Sequence, residues 1–184
     1  MAVHPSLPFS DGLRPGETEL HFPCDRHLPE AADAYFRAID VAATAPVVFR
    51  RLCQLRVAPY SYDWLDNFGR RSPHALTPGL GQLELGQRFM TIFELVGFEP
   101  DFQITLLCTR LRRVFGEVAG TYMIVPGERG GSRLIVKLVV NHPGRRLESA
   151  ARRHLLPWGD LVMMRKQLRT LKALAERDER AAGR

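Results

Sequence analysis

No run of this chain is apolar for the roughly 20 consecutive residues that a membrane-spanning helix needs, so no integral membrane segment is predicted. Cysteine is scarce: Cys24, Cys53 and Cys108 are an odd count at wide spacing, which argues against a disulfide frame and suits reduced thiols, with Cys53 and Cys108 expected in the core. The first residues, Met1 to Phe9, lack a cationic start followed by an apolar block; no secretory signal is visible, and a cytoplasmic protein is expected. There is no nucleophile elbow, paired Cys-x-x-Cys, Walker loop or dinucleotide fingerprint. No cofactor is implied.

What is present is ordinary for a globular protein: 184 residues, 45% hydrophobic and 25% charged, enough for one domain with a sizeable core. Arginine outnumbers lysine 23 to 3, and the net charge of +6 has a location. Residues 1–144 carry 15 basic and 15 acidic side chains, whereas residues 145–184 carry 11 and 5. The surplus is either a solvated helix face or a surface for anionic headgroups or an acidic ligand. No aromatic residues are interleaved as on a nucleic-acid platform, so no nucleic-acid partner is predicted.

Residues 1–30 hold Pro5, Pro8, Gly12, Pro15, Gly16 and Pro23 without periodicity and read as an irregular arm ahead of a single domain at 31–180. His21, Cys24 and His27, with Asp25 nearby, are metal-capable. Three ligands on a flexible arm fall short of the four that a zinc site takes, so no metal is assigned.

A first strand is expected from Tyr35 to Ala43, and Pro46 opens a helical run through Val47, Val48, Leu52 and Leu55. Four strands follow, at 87–97, 101–110, 113–125 and 132–141, with turns at Gly97 to Asp101 and Pro126 to Gly131. Joints this tight require antiparallel pairing. The glycines 127, 130 and 131 lack a following helix and so make a turn, not a phosphate cradle. Beyond Pro143, Leu161, Met164, Leu168, Leu171 and Ala175 recur at helical spacing. Pro157 and Gly159 predict that Arg145 to Leu156 form a separate or kinked piece.

Alternation assigns the faces. Arg133, Lys137 and Asn141 share one side of the last strand, which is predicted to be wet, and Leu134, Val136, Leu138 and Val140 share the dry one. The same parity turns Phe89, Thr91, Phe93, Ile104, Leu106, Val118 and Tyr122 inward, with Glu94, Glu117 and Thr121 outward.

The stretch from Ala58 to Pro73 sets Tyr60, Tyr62 and Trp64 beside Asp63, Asp66, Arg70 and Arg71; Ser61 reads as a helix cap and Gly69 as a stop. A helix this short must lean on something larger. This segment, together with Pro78-Gly79-Leu80, Gly86 through Met90, and Leu155 through Gln167, resembles in the same order a subgroup of the SRPBCC superfamily, the START-like or helix-grip proteins. The resemblance covers residues 30 to 178. It implies an α+β fold in which a seven-stranded antiparallel sheet grips a long C-terminal helix, with two short helices after the first strand and an apolar cavity between sheet and helix. It also implies binding of hydrophobic molecules, with catalysis in some members only.

On that basis the expected function is binding of a small hydrophobic or aromatic ligand. The expected lining is Tyr62, Trp64, Phe89, Phe93, Leu106, Val118, Tyr122, Val136, Trp158, Met163 and Met164, with Arg70 and Arg71 either anchoring an acidic group or complementing a helix end. The alternative is a polyketide cyclase- or dehydratase-like enzyme in which Tyr62, Asp63 and Tyr122 move protons, although Asp63 alone also suits a helix terminus. His142 and His154 can act as bases only if they face the cavity. A third reading docks the basic C-terminal segment on a membrane surface. A guest burying about 300 Å² gains roughly 7 kcal/mol against an association cost of about 4 to 15, so a few polar anchors must supply selectivity.

Overall fold

The computed structural model describes residues 2–3, 6–61, 72–141 and 146–183, with backbone alone at 2–3, 113–114 and 146–152. Six antiparallel strands form the sheet: β3 (Asp33–Val41), β8 (Ser132–Asn141), β7 (Glu117–Pro126), β6 (Gln103–Cys108), β5 (Phe93–Glu99) and β4 (Arg88–Phe89), side by side in that order. Two short strands, β1 (Ala2–Val3) and β2 (Ser10–Asp11), add to the free edge of β3 in parallel, so the sheet is seven strands across. The first helix (Ala45–Cys53) and a 3-10 turn (Gln54–Arg56) follow β3, and the C-terminal helix runs from Arg146 to Ala182. This is the helix-grip arrangement.

Pro46 sits in the opening turn of the first helix, where a missing N–H costs nothing. Its apolar residues Val48, Leu52 and the following Leu55 are buried against the sheet and the C-terminal helix. The loop before it is tied to that helix: Glu176 accepts the amide of Ala42 at 2.9 Å, and Glu179 accepts the amide and hydroxyl of Thr44 at 2.8 and 2.9 Å.

The C-terminal helix lies along β3 in the same direction. Arg153 meets Asp33, Asp160 meets Arg37, and Lys172 donates to the Asp40 carbonyl, so helix and strand advance together. Contrary to the expected break, Pro157 lies inside one continuous helix. Its lost hydrogen bond, about 3 kcal/mol, is offset by the contacts and ion pairs on both sides of it.

The strand expected at 87–97 is a hairpin instead. Phe89 pairs with Phe93, and Met90 and Thr91 take positive φ values of 45° and 68° in the turn between them, which leaves Thr91 exposed. The strand expected from 113 starts at Glu117, after a helical turn at Arg112–Phe115.

The convex face is not wet. The N-terminal arm lies across it, burying Phe22 and Cys24 against Phe36, Met123, Ile135 and Val139. Lys137 pairs with Asp25 at 2.8 Å and lies 5.4 Å from the ring centres of Phe22 and Phe36. Arg133 pairs with Glu17 and donates to the Gly12 carbonyl at 2.6 Å. Thr121 faces this side as expected, but there it accepts the Cys24 amide at 3.0 Å in a buried contact. Burial pushes the Cys24 thiol up to about 11, a protonated, inert cysteine whose sulfur donates to the Lys137 carbonyl. His21 points elsewhere, toward Arg26.

Candidate functional site

Antiparallel register builds the concave face row by row. One row crosses Arg37, Val136, Tyr122 and Ile104; the next crosses Tyr35, Leu138, Gly120, Leu106 and Leu95. Gly120 makes room in the second row, since a Cβ there would stand 2.5 Å from Leu138 Cδ2. The helix covers these rows with Met164, Leu168, Leu171, Leu174 and Ala175.

The two ends of this interior differ. Toward the first helix, Val41, Leu134, Ile124, Leu52, Leu171 and Leu174 form an apolar block. Toward the start of β3, polar groups intrude. Arg37 is fully buried, and its Nη2 donates to Asp160 Oδ2 at 2.6 Å while Nη1 donates to the carbonyls of Phe9 and Phe36, each at 2.8 Å. Tyr122 donates to Gln167 Oε1 at 2.6 Å, and Gln167 Nε2 in turn donates to the Pro59 carbonyl at 2.6 Å. Tyr35, only 2% exposed, has no hydrogen-bond partner for its hydroxyl among the described residues.

Burial drives the electrostatics. It pushes the Asp160 carboxyl up to about 6 although the Arg37 guanidinium pulls the other way. It also raises Tyr35, reinforced by the charges of Asp33 and Asp160, and raises Tyr122, so both are neutral phenols. The cluster therefore combines two neutral phenols with one carboxyl raised to about 6 by burial.

Of the residues expected to line a site, Phe89, Leu106, Tyr122, Val136 and Met164 are buried in one cluster, with Phe93 half-buried against it. Val118 lies beside Tyr35, Leu138 and Val140 at the polar end. Met163 is half-buried, and its carbonyl accepts the Ser61 hydroxyl at 3.1 Å. Trp158 is exposed on the outer side of the helix and does not line the interior; Pro157 and Leu161 face inward at its flanks. His154 is likewise exposed. Tyr62, Asp63, Trp64, Arg70, Arg71 and His142 lie outside the described residues.

Tyr35, Arg37, Asp160 and Gln167 went unrecognised as a site from sequence. A signal existed: Tyr35 and Arg37 share inward parity on β3, and Arg153, Asp160 and Gln167 recur every seven residues on the helix face that meets the sheet.

Among the described residues no group of histidine, cysteine and carboxylate side chains is placed to hold a metal, and no helix is long and apolar enough to cross a membrane.

No family model matches the sequence, and no curated protein matches it. Solved structures do. A protein from Chromobacterium violaceum aligns over 78% of this chain and 98% of its own at 12% identity, with a TM-score of 0.51. The di-domain ARO/CYC StfQ from the steffimycin biosynthetic pathway aligns over 81% of this chain at 17% identity and a TM-score of 0.47, and this chain spans only 51% of its length. The Aha1 dimer structure from Colwellia psychrerythraea aligns over 76% of this chain and 96% of its own, at 10% identity and a TM-score of 0.40. The first of these shares the fold alone, the helix-grip arrangement that the sequence resemblance implied.

Proposed function

We propose that this protein binds a small hydrophobic or aromatic molecule between the sheet and the C-terminal helix, at the polar end of the interior. The supporting observation is the Tyr35 hydroxyl, buried and without a partner among the described residues, beside the Arg37–Asp160 pair. An unpaired buried hydroxyl costs roughly 1 to 3 kcal/mol, a cost that a ligand oxygen accepting its hydrogen bond would remove. The ligand class is therefore an apolar or aromatic body carrying a hydroxyl or carbonyl. Phe93, Leu106, Val118 and Val136 supply the apolar wall, and Tyr62, Trp64, Met163, Arg70 and Arg71 remain proposed contributors.

A second reading is a cyclase- or dehydratase-like enzyme, favoured by the Asp160 carboxyl at about 6. A group with that value exchanges protons near neutral pH, next to phenols held protonated.

Native mass spectrometry of the purified protein tests the first reading, with retention of a small molecule expected. Titration with 1-anilinonaphthalene-8-sulfonate adds a direct readout: Phe93→Arg should abolish the fluorescence gain. If no molecule is retained and Phe93→Arg binds the dye like the parent, the reading is wrong. Turnover of an aromatic polyketide-like ketone that disappears in Asp160→Asn would favour the second.

A further inference from the structure

Trp158, misplaced by the sequence reading, belongs to a different surface. Leu155, Trp158 and Val162 are 72%, 54% and 51% exposed. Their spacing of three and four puts them on one side of the C-terminal helix, about a third of a turn round from the Leu161, Met164 and Leu168 stripe that packs on the sheet. Scattered exposed apolar residues are ordinary; three in consecutive turns on one helix form a ridge.

The same side continues into Lys166 and Arg169, both exposed and without an ion pair among the described residues; Arg169 also lies at the rim of the cleft that holds Asp11, whose carboxyl its charge helps to keep low. The helix's acids do not balance them. Asp160, Asp178, Glu176 and Glu179 are all turned to the body, where they hold Arg37, Arg51, the Ala42 amide and Thr44. The fold has thus spent the described carboxylates of this helix on its own interior, and the outward face keeps its cations. A projecting ridge of leucine, tryptophan and valine with lysine and arginine one turn further on is complementary to a surface that is apolar below and anionic above.

From this ridge we infer that the protein docks peripherally on anionic lipid bilayers, with Leu155, Trp158 and Val162 entering the interfacial layer and Lys166 and Arg169 at headgroup level. Tryptophan, with an apolar ring and one N–H, suits that depth. The ridge is narrow and convex, which fits insertion among lipid headgroups better than a flat protein interface. The inference does not depend on the interior ligand site.

Co-sedimentation of the full chain with vesicles tests it. Binding is expected to phosphatidylcholine vesicles containing phosphatidylglycerol, with loss at high salt, and little to phosphatidylcholine alone. Lys166→Gln with Arg169→Gln should weaken binding roughly thirtyfold, since each cation near the surface contributes about a factor of five. The triple change of Leu155, Trp158 and Val162 to serine should weaken it at least roughly tenfold. All five positions are exposed, and an unchanged melting temperature confirms that the fold is intact. Failure of the parent protein to sediment with anionic vesicles at low salt overturns the inference. So does full binding by the triple variant, and so does equal salt-sensitive binding to polyglutamate that ignores the ridge, which would point to an acidic protein partner.

Discussion

The two ends of the space between sheet and helix are built from the same strands and the same helix, yet they solve different problems. At the end next to the first helix, the side chains of Val41, Leu134, Ile124, Leu171 and Leu174 form a close-packed apolar block, and the polar contacts, Arg51 with Asp178 and Glu176 and Glu179 with the loop before the helix, lie at its margin. At the other end directional contacts enter the interior itself: Arg37 with Asp160 and Tyr122 with Gln167, with Arg153 and Asp33 at the edge. Apolar packing fixes how far the helix stands from the sheet. Charge pairs and hydrogen bonds fix its rotation and register, and they leave one hydroxyl, on Tyr35, unsatisfied.

The comparison breaks most visibly at Arg37. Arg37→Met leaves the Asp160 carboxyl buried without its partner and should cost about 3 to 5 kcal/mol at neutral pH in chemical denaturation. The loss should shrink on acidification, because Asp160 then takes up a proton. The sign follows from its raised value: the folded state holds that proton more tightly than the unfolded chain, so the stabilisation is complete below about 3.8 and lost as pH rises through about 6. Asp160→Asn should flatten the stability profile across that window, and a profile unchanged by the substitution would contradict the burial argument.

A comparable loss, about 2 to 5 kcal/mol, is expected from Leu171→Ala at the apolar end, with two differences. It should be independent of pH between 4 and 7, and it should leave dye affinity intact once the protein is folded. If Leu171→Ala abolishes dye binding in folded protein, the division into a structural end and a binding end fails.

The smallest effect has the opposite sign. Tyr35→Phe removes the unpaired hydroxyl and should leave ligand-free stability unchanged or raised by up to roughly 1 kcal/mol, while weakening any retained oxygen-bearing ligand by about fivefold. Calorimetric melting and competition with the dye measure the two. A clear loss of stability in the ligand-free protein would mean that the hydroxyl already has a use in the fold.

How much of this could be read in the chain depends on how local each cause is. Alternation on β8 and the helical stripe from Leu161 to Ala175 were legible because burial on one face repeats at the element's own period. The hairpin at Met90 and Thr91 was not, since neither residue is the glycine or asparagine that normally marks positive φ. The convex face was misjudged by weighing Arg133 and Lys137 over Ile135 and Val139. Those two apolar residues on the supposedly wet side were the sign that something covers it. Trp158 was assigned inward by its type, although it falls off the stripe that packs on the sheet.

Element order, the antiparallel pairing and the apolar stripe of the C-terminal helix were legible in the chain, because propensity, turn chemistry and hydrophobic period act over a few residues; that the sheet grips this helix came from the resemblance. Only the tertiary structure decided that the N-terminal arm shields the sheet, that the C-terminal helix continues through Pro157, and that Tyr35, Arg37, Asp160 and Gln167 meet. Those outcomes depend on contacts between residues far apart in the chain, as Arg37 and Asp160 are at 123 positions. Such contacts exist only once the chain has closed on itself, when a buried charge must find its partner or go without.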